Sequence, residues 1–378
     1  MTLAIRRFLA AGDVSPAAVD RFLVDHRVPI VEGSTATFVF RGAADGVFLQ
    51  HWIYGLPSAQ SFVPVTGSDL WYLVQEIPVR SRVEYKLEVR TGELTRLIRD
   101  PLNPEIAHDP FGANSVCQGA EYRLPEWTQP DPEARPGSVE PLVFRSPALA
   151  REQEVTVYLP ARFRPTRRYP LLVVHDGIDY FRYAALRTVL DNLIHRAEIA
   201  PLVVALTQSP QRLREYAADP RHARFVVDEL VPRLERRYPL LPGAANRGLM
   251  GASFGAVAAL ATAASEPERF GRLLLQSGSF AFTDIGASPR GPVFAPIVEF
   301  VNAFREQPNA VAERVYLSCG VYESLIYENR SLVPLLERTG MVVRFEEAWD
   351  GHNWENWRDR LRGALAWLFP GPLRMIYE

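Results

Sequence analysis

The stretch that decides the fold of the second half of the chain runs from Arg247 to Gly255 and reads RGLMGASFG. Its apolar start predicts a short strand, and the alanine-rich segment after it predicts a helix. Glycines two positions before and after Ser253 leave room for a sharp turn between the two elements. A serine in such a strained strand-to-helix turn has an exposed hydroxyl, and this context predicts a nucleophile.

Further short apolar runs surround this stretch and alternate with helical patterns such as the one around Val226 to Leu234. Several of the runs are nearly continuous in apolar residues, as buried parallel strands are. Alternation of strands and helices predicts an α/β fold with a doubly wound, mostly parallel sheet of the α/β-hydrolase type. The predicted strands are 155–159, 171–174, 202–206, 249–250, 273–275, 315–317 and 342–345.

The first part of the chain has a different pattern. A short helix is predicted over 14–28, with Ser15 as cap and Pro16 at the first position. From about 34 to 120, apolar and polar residues alternate, most clearly over 83–90, and turn residues separate the short runs. This pattern predicts a small immunoglobulin-like β-sandwich.

Between these two regions the composition changes to proline, acidic residues and glycine, which disfavours a continuous helix or strand. We therefore predict an N-terminal helix and β-sandwich domain over 1–122, a proline-rich linker over 123–141, and an esterase-type α/β domain over 142–378.

Charge and composition exclude several classes of partner. The 42 basic and 44 acidic residues give a net charge of −2, which provides no field to attract nucleic acid or an anionic membrane. No apolar run is long enough for a membrane span. Cys117 and Cys319 fall in different predicted domains, so they predict neither a disulfide framework nor a metal site, and a cytoplasmic location is expected. Nothing in the composition specifies an oligomeric state.

A serine hydroxyl needs a base, and in this type of fold a histidine follows the last core strand. His352 occupies that position, after the strand predicted over 342–345 and before a closing helix. We predict His352 as the general base.

The acid that orients the histidine is expected between the serine and the histidine in the chain. Glu323 follows the predicted strand 315–317 beyond a glycine, which puts it at the same edge of the sheet as Ser253 and His352. It is our first choice, with Asp350 and Asp284 as alternatives.

The oxyanion of an acyl-transfer reaction needs backbone N–H donors. Phe254, directly after the serine, is one predicted donor, and Gly177 or Ile178, in the loop after strand 171–174, is the other. His175 in that loop is interpreted as a structural residue.

Taken together, these motifs resemble the enterochelin esterase branch of the esterase D family of α/β hydrolases. The front part resembles the immunoglobulin-type module that such esterases often carry. In the second half the resemblance rests on seven segments, 175–177, 214–216, 228–232, 251–255, 267–271, 276–279 and 351–354.

The resemblance implies hydrolysis of a small-molecule carboxylic ester through an acyl-enzyme, without a metal or organic cofactor. Asn353 is a departure, because many relatives are expected to have Asp after this histidine. The family also includes feruloyl and acetyl-xylan esterases and acyl transferases, so membership leaves the substrate open. A general carboxylesterase and a non-catalytic glycan- or siderophore-binding protein are further alternatives.

A ferric catecholate substrate would need clustered cations. Arg182 and Arg214 are the predicted contacts, with Arg187 and Arg212 nearby in the sequence. An aromatic ring of the substrate could stack on Trp354, and Trp357, Phe280 and Phe282 are neighbouring candidates.

Overall fold

The computed structural model describes residues 2–283 and 290–372. The chain divides into two compact units. The first unit comprises Met1–Leu124 and two short later segments, Gly320–Ser324 and Ala348–Asn353. The second unit comprises Pro125–Cys319, Leu325–Glu347 and Trp354–Glu378.

The first unit begins with two helices, α1 (Ala4–Ala10) and α2 (Pro16–Asp25). Ser15 caps α2, since its side chain accepts a hydrogen bond from the amide of Ala18, and Pro16 occupies the first turn as predicted. The sequence pattern does not predict helix α1. It is short, but it buries Ala4 and Ile5.

The remaining elements of the first unit are strands in two antiparallel sheets, ordered β1-β2-β6-β5 and β4-β3-β7-β10-β9, with β8 paired to β7. The strands are β1 (Ile30–Glu32), β2 (Thr35–Arg41), β3 (Gly46–His51), β4 (Ala59–Ser61), β5 (Val63–Pro64), β6 (Leu70–Glu76), β7 (Arg82–Thr91), β8 (Leu94–Ile98), β9 (Ile106–Asp109) and β10 (Gly112–Gln118).

The core of the first unit lies between these two sheets. Phe38 of β2 packs in one apolar cluster with Leu49 of β3 and with Tyr85 and Leu87 of β7. On its other face the first sheet packs against α1 and α2. The predicted β-sandwich is therefore present, with a helical layer added to one side.

The second unit contains one eight-stranded sheet ordered β11-β12-β14-β13-β15-β16-β17-β18. Strands β11, β12 and β14 pair antiparallel, and β14, β13, β15, β16 and β17 pair parallel. The strands are β11 (Ser138–Ser146), β12 (Arg151–Leu159), β13 (Leu171–Val174), β14 (Val203–Thr207), β15 (Arg247–Ala252), β16 (Arg272–Gln276), β17 (Arg314–Gly320) and β18 (Val342–Ala348).

Helices cover both faces of this sheet. Strand β13 shows this, because Leu171 and Val173 enter one apolar cluster while Leu172 and Val174 enter another. This confirms the doubly wound α/β fold. The helices are α3 (Gly177–Tyr183), α4 (Leu186–His195), α5 (Arg212–Glu215), α6 (Pro220–Arg224), α7 (Val231–Arg237), α8 (Phe254–Ser265), α9 (Ala295–Glu306), α10 (Ile326–Arg338) and α11 (Trp354–Leu368), with a π-helical turn at Phe225–Leu230.

The predicted linker is too long at its C-terminal end, because β11 begins at Ser138. Pro141 lies within this strand and is tolerated there, since β11 is the edge strand of the sheet and an edge strand needs fewer backbone donors. The segments Gly320–Ser324 and Ala348–Asn353 also differ from expectation, since they lie inside the predicted domain 142–378 but group with the first unit.

Candidate active site

Ser253 lies between β15 and α8, in the predicted strand-to-helix turn. Its backbone has φ 57° and ψ −121°, a conformation that non-glycine residues rarely adopt. The amide of Ser253 donates to the carbonyl of Gln276 at 2.9 Å, which ties the turn to the neighbouring strand β16. The strained turn is thus fixed by backbone pairing.

Small residues are required on either side of Ser253 because the backbones of strand β15 and helix α8 approach each other closely. A Cβ atom on Gly251 would lie 2.3 Å from the carbonyl carbon and oxygen of Gly255, so the helix could not start this close to the strand with any other residue at 251. A Cβ on Gly255 would meet the Cβ of His175 at 3.3 Å, which is tighter than ordinary contact.

The hydroxyl of Ser253 lies 3.2 Å from the hydroxyl of Ser279. Ser279 is buried, and its amide donates to the carbonyl of Ser253 at 3.2 Å. Ser279 therefore contacts Ser253 through both its backbone and its side chain. Ser279 belongs to the segment 276–279, on which the family resemblance rests, but its sequence position predicts no role.

The predicted oxyanion donors lie at the starts of two helices. Phe254 is the first residue of α8, and Gly177 and Ile178 open α3, directly after the parallel neighbour strand β13. Amides in the first turn of a helix have no acceptor within the helix. At Gly177 a Cβ would lie 2.6 Å from the Cα of Leu206, so close packing against β14 requires glycine there.

Buried Asp176 and partly exposed Arg212 form an ion pair beside these helix starts. The Nε of Arg212 donates to Oδ2 of Asp176 at 2.7 Å, and its Nη2 donates to the carbonyl of Ala252 at 3.4 Å. Burial raises the pKa of Asp176, whereas the charge of Arg212 lowers it. Arg212 thus links the loop after β13 to the end of β15.

His175 lies in the core of the second unit. Its Nδ1 is 3.0 Å from the carbonyl oxygen of Met250, its Nε2 is 3.0 Å from Nε2 of His222, and burial lowers its pKa to about 4. A neutral, fully buried imidazole with both nitrogens in polar contact agrees with the structural role expected for it.

Glu323 and His352 are brought together in the first unit, on its segments Gly320–Ser324 and Ala348–Asn353. Nδ1 of His352 donates to Oε2 of Glu323 at 2.6 Å, while Oε1 of Glu323 accepts from the amide of Gly320 at 2.8 Å. The Glu323 side chain is only 1% exposed, and that of His352 is 40% exposed. A buried carboxylate that holds an accessible imidazole is the geometry of an acid and base pair.

Asp350, the first alternative acid, has other partners. Its Oδ1 accepts from the amide of Gly351 at 2.7 Å, from Nδ2 of Asn353 at 2.8 Å and from Nη1 of Arg82 at 3.4 Å. Burial raises the pKa of Asp350 to about 6, although Arg82 lowers it. Asp284, the second alternative, lies outside the described residues.

The two arginines predicted as substrate contacts, Arg182 and Arg214, differ in their surroundings from their sequence neighbours Arg187 and Arg212. Arg212 is bound to Asp176, and Arg187 donates to the carbonyl of Gly137 at 2.9 Å. Arg182 and Arg214 are exposed.

The aromatic candidates are mainly packing residues, which corrects the expectation for Trp354. Only 8% of Trp354 is exposed, and its ring contacts the rings of Tyr180, Tyr183 and Trp357 with centroids 4.8–5.8 Å apart. Trp357 and Phe280 are also buried, and Phe282 packs under the guanidinium of Arg305. The first turn of α11 faces the core, and this buries Trp354.

Residues 2–283 and 290–372 contain neither a metal-binding cluster nor a membrane-spanning helix. None of these residues form a group of three or more His, Cys, Asp or Glu side chains that could hold a metal ion. In the same ranges, every helix is too short or too polar to cross a bilayer.

Comparison with known proteins identifies the family. Residues 146–368 match the family described as "Putative esterase", which is more than half of the chain. The chain belongs to this esterase family. It is therefore a carboxylic ester hydrolase, as the sequence predicts.

The relatives of this esterase confirm the resemblance to the enterochelin esterase branch. Iron(III) enterobactin esterase of Escherichia coli O6:H1 is 26% identical over 336 residues, which cover 82% of each chain. An enterobactin esterase of Shigella flexneri, whose structure was determined in the presence of enterobactin, matches with a TM-score of 0.72 and 21% identity over 88% of this chain and 92% of that one.

A ferulic acid esterase of Anaeromyces mucronatus, in complex with ferulic acid, matches a smaller part of the esterase. The TM-score is 0.54 and the identity 17%, over 65% of this chain and 96% of that one. The α/β-hydrolase fold is thus shared with both kinds of esterase.

Proposed function

We propose that this esterase acts through an acyl-enzyme in which Ser253 is the nucleophile, His352 the general base and Glu323 the acid that orients it. The observation that carries the proposal is the pair of geometries described above: the strained turn at Ser253, and the 2.6 Å hydrogen bond that leaves the imidazole of His352 accessible.

In the proposed cycle, His352 removes the proton of Ser253 as the hydroxyl oxygen attacks the ester carbonyl carbon. The amides of Phe254 and of Gly177 or Ile178 stabilise the oxyanion. The protonated His352 then donates its proton to the leaving alcohol, and the C–O bond of the ester breaks. Water repeats the sequence on the acyl-enzyme and releases the acid.

Glu323 acts on this cycle by holding Nδ1 of His352 protonated, which leaves Nε2 as the basic nitrogen. The carboxylate also stabilises the imidazolium that forms when Ser253 is deprotonated. Asp350 is not the proposed acid, since its Oδ1 is occupied by three donors.

The proposed substrate is an ester of the catecholate siderophore type. Support comes from the enterobactin esterase relatives, whose similarity covers both the β-sandwich region and the hydrolase region. Arg182 and Arg214 stay the proposed contacts for its negative charge, because both are exposed.

The second candidate is a feruloyl or acetyl-xylan type esterase. It is favoured by the fold likeness to ferulic acid esterase, which is largely confined to a region the size of the second unit. The sequence has only two cysteines, Cys117 and Cys319, and so offers no disulfide framework, which supports the proposal of a cytoplasmic location.

The mechanism is tested with purified protein and its Ser253→Ala variant on p-nitrophenyl acetate. We expect the variant to lose activity by a factor of about 10³ or more. Equal rates for the two proteins would contradict the serine mechanism.

The substrate is tested by ranking kcat/KM over ferric and iron-free trilactone siderophores, methyl ferulate, acetylated xylan and simple aryl esters. The siderophore proposal predicts the highest value for a trilactone. A higher value for methyl ferulate or acetylated xylan would favour the second candidate.

A further inference from the structure

The segment that carries His352 is held by the first strand residue of β7 in the first unit. The amide of Arg82 donates to the carbonyl of Trp349 at 2.9 Å. This backbone hydrogen bond fixes the beginning of the segment Ala348–Asn353 three residues before His352.

The guanidinium of Arg82 fixes the other end of the segment. Its Nη1 donates to Oδ1 of Asn353 at 3.0 Å and to Oδ1 of Asp350 at 3.4 Å, and its Nη2 donates to Oε1 of Glu84 at 3.0 Å. The side chains of Arg82, Asp350 and Glu84 are 4%, 5% and 9% exposed. Buried charges are costly unless they are paired, so the position of Arg82 and the position of this segment are coupled.

Asn353 has a role that a carboxylate could not perform. Its Oδ1 accepts from Arg82, while its Nδ2 donates to Asp350 at 2.8 Å. An aspartate at 353 would have no donor for Asp350 and would bring a second negative charge next to it. The departure from the expected His-Asp pair therefore fits the buried Asp350 and Arg82 of this chain.

The segment that carries Glu323 is fixed in the same unit. The carbonyl of Tyr322 accepts from the amide of Tyr54 at 2.8 Å, and the amide of Tyr322 donates to the carbonyl of Asp350 at 3.2 Å. Residues of the first unit thus contact the segments of both the acid and the base.

We propose that Arg82 is a positioning residue for His352, which it holds in place through Asn353 and Asp350. This inference rests on the proposed function, in which His352 is the general base. Arg82 acts through the segment 348–353 and needs no contact with substrate. A misplacement of about 1 Å at a reacting group can cost about 10²-fold in rate, so a small shift of this segment suffices to affect the chemistry.

The test uses the full-length protein with Asn353→Ala and, separately, Arg82→Lys. Alanine removes the bridge without leaving a buried charge unpaired. Lysine keeps the charge but lacks the planar fork that reaches Asn353, Asp350 and Glu84 together. We expect kcat for p-nitrophenyl acetate, per folded molecule measured by near-UV circular dichroism, to fall about 10- to 100-fold in both variants, with KM nearly unchanged.

Two further variants calibrate this result. Asn353→Asp is expected to be at least as impaired as Asn353→Ala because of repulsion with Asp350. Arg41→Lys is the matched control: Arg41 pairs with Asp20 and Asp69 in the same unit, and its variant should keep wild-type kcat.

The pH profile separates positioning from general structural support. If Arg82 positions the base, the pH dependence of kcat/KM shifts in Asn353→Ala, because the hydrogen bond between His352 and Glu323 is altered. A purely structural role would lower the folded fraction and the melting temperature while kcat per folded molecule stays at the wild-type value.

The proposal is overturned if Asn353→Ala and Arg82→Lys keep wild-type kcat per folded molecule while activity still depends on Ser253. Should Arg82→Lys not fold, Asn353→Ala decides. If Ser253→Ala is as active as wild type, the proposed function fails and this inference fails with it, so the two failures are distinguishable.

Discussion

Ser253 and His352 are held in place in different ways. Ser253 lies in a turn set by its sequence neighbours, where Gly251 and Gly255 allow the strand and the helix to approach closely. His352 lies in a segment whose position depends on a residue far away in the chain, since Arg82 is separated from Asp350 by 268 positions and from Asn353 by 271.

The difference shows how much freedom each group retains. The turn at Ser253 is strained but enclosed by backbone hydrogen bonds of the parallel sheet, so few side-chain changes can move it. The imidazole of His352 is 40% exposed and depends on a buried network of side chains. A single substitution in that network can therefore move His352 without affecting Ser253.

The largest expected effect separates the two acidic residues near His352. Glu323→Gln replaces the carboxylate that accepts from Nδ1 and should lower kcat by about 10⁴-fold, because it favours the wrong tautomer of the imidazole. Asp350→Asn should lower kcat by less than about 10-fold, since an amide oxygen can still accept from Gly351.

Steady-state kinetics of both variants on an aryl ester measures this difference. Glu328→Gln, which alters a carboxylate paired with Arg290, controls for the substitution itself. A greater loss in Asp350→Asn than in Glu323→Gln would reverse the assignment of the acid.

The next largest effect tests whether the turn at Ser253 is determined by its sequence neighbours. Gly251→Ala places a methyl group 2.3 Å from backbone atoms of Gly255, so the free energy of unfolding should fall by about 3 kcal/mol or more. Chemical denaturation measures the change. Gly363→Ala in helix α11, whose nearest contact is a side-chain oxygen of Tyr316 at 3.3 Å, is the control and should be much milder.

A third prediction concerns Asp350 in its buried network with Arg82 and Glu84. Burial raises the pKa of Asp350 from its ordinary value of 3.8 to about 6 in the folded protein. Between these two pH values the folded state therefore keeps a proton that the unfolded chain has lost. The free energy of unfolding should therefore decrease as pH rises from about 4 to 6, by up to about 3 kcal/mol from this group.

Asp350→Asn should flatten that slope, because it cannot ionise. Denaturation at a series of pH values, with Asp69→Asn at a half-exposed carboxylate as control, measures it. An unchanged slope in Asp350→Asn would show that this carboxyl group does not titrate in that range.

The smallest effect is expected at Ser279. Its hydroxyl lies 3.2 Å from that of Ser253, and loss of one neutral hydrogen bond usually changes a free energy by about 1 kcal/mol. Ser279→Ala should therefore change kcat/KM by less than about 10-fold. A loss comparable to that of Ser253→Ala would mean that Ser279 has a role in the chemistry itself.

The sequence predicts the elements that depend on local pattern. The seven strands predicted for the second half agree with β12 to β18. Their order in the sheet brings the ends of neighbouring strands together, which explains why candidate residues can be identified just after each strand. The sequence pattern does not predict strand β11, because its proline and its charged residues resemble the preceding linker, and an edge strand tolerates them.

Arg82 could not be found in this way. It begins a strand of alternating apolar and charged residues, where the charged positions are predicted to face water. In the structure the side chains of Arg82 and Glu84 are buried, because the segment Ala348–Asn353 covers that end of β7. A contact between residues so far apart in the chain leaves no periodic or spacing signal in a single sequence.

For Trp354, in contrast, the sequence predicts a substrate contact where the structure shows a packing residue. Its position directly after the His352 segment predicted a substrate contact, but it begins helix α11 and is packed against Tyr180 and Trp357. Adjacency in the chain to a functional residue does not determine which way a side chain faces.

The grouping of Gly320–Ser324 and Ala348–Asn353 with the first unit bears on how such enzymes diversify. The family match covers 146–368, so Arg82 lies outside the segment by which membership is recognised. If Arg82 positions His352 as proposed, replacing the N-terminal region with that of a distant relative would have the same effect as a mutation that moves His352. The two regions should then be inherited and recombined as one evolutionary unit.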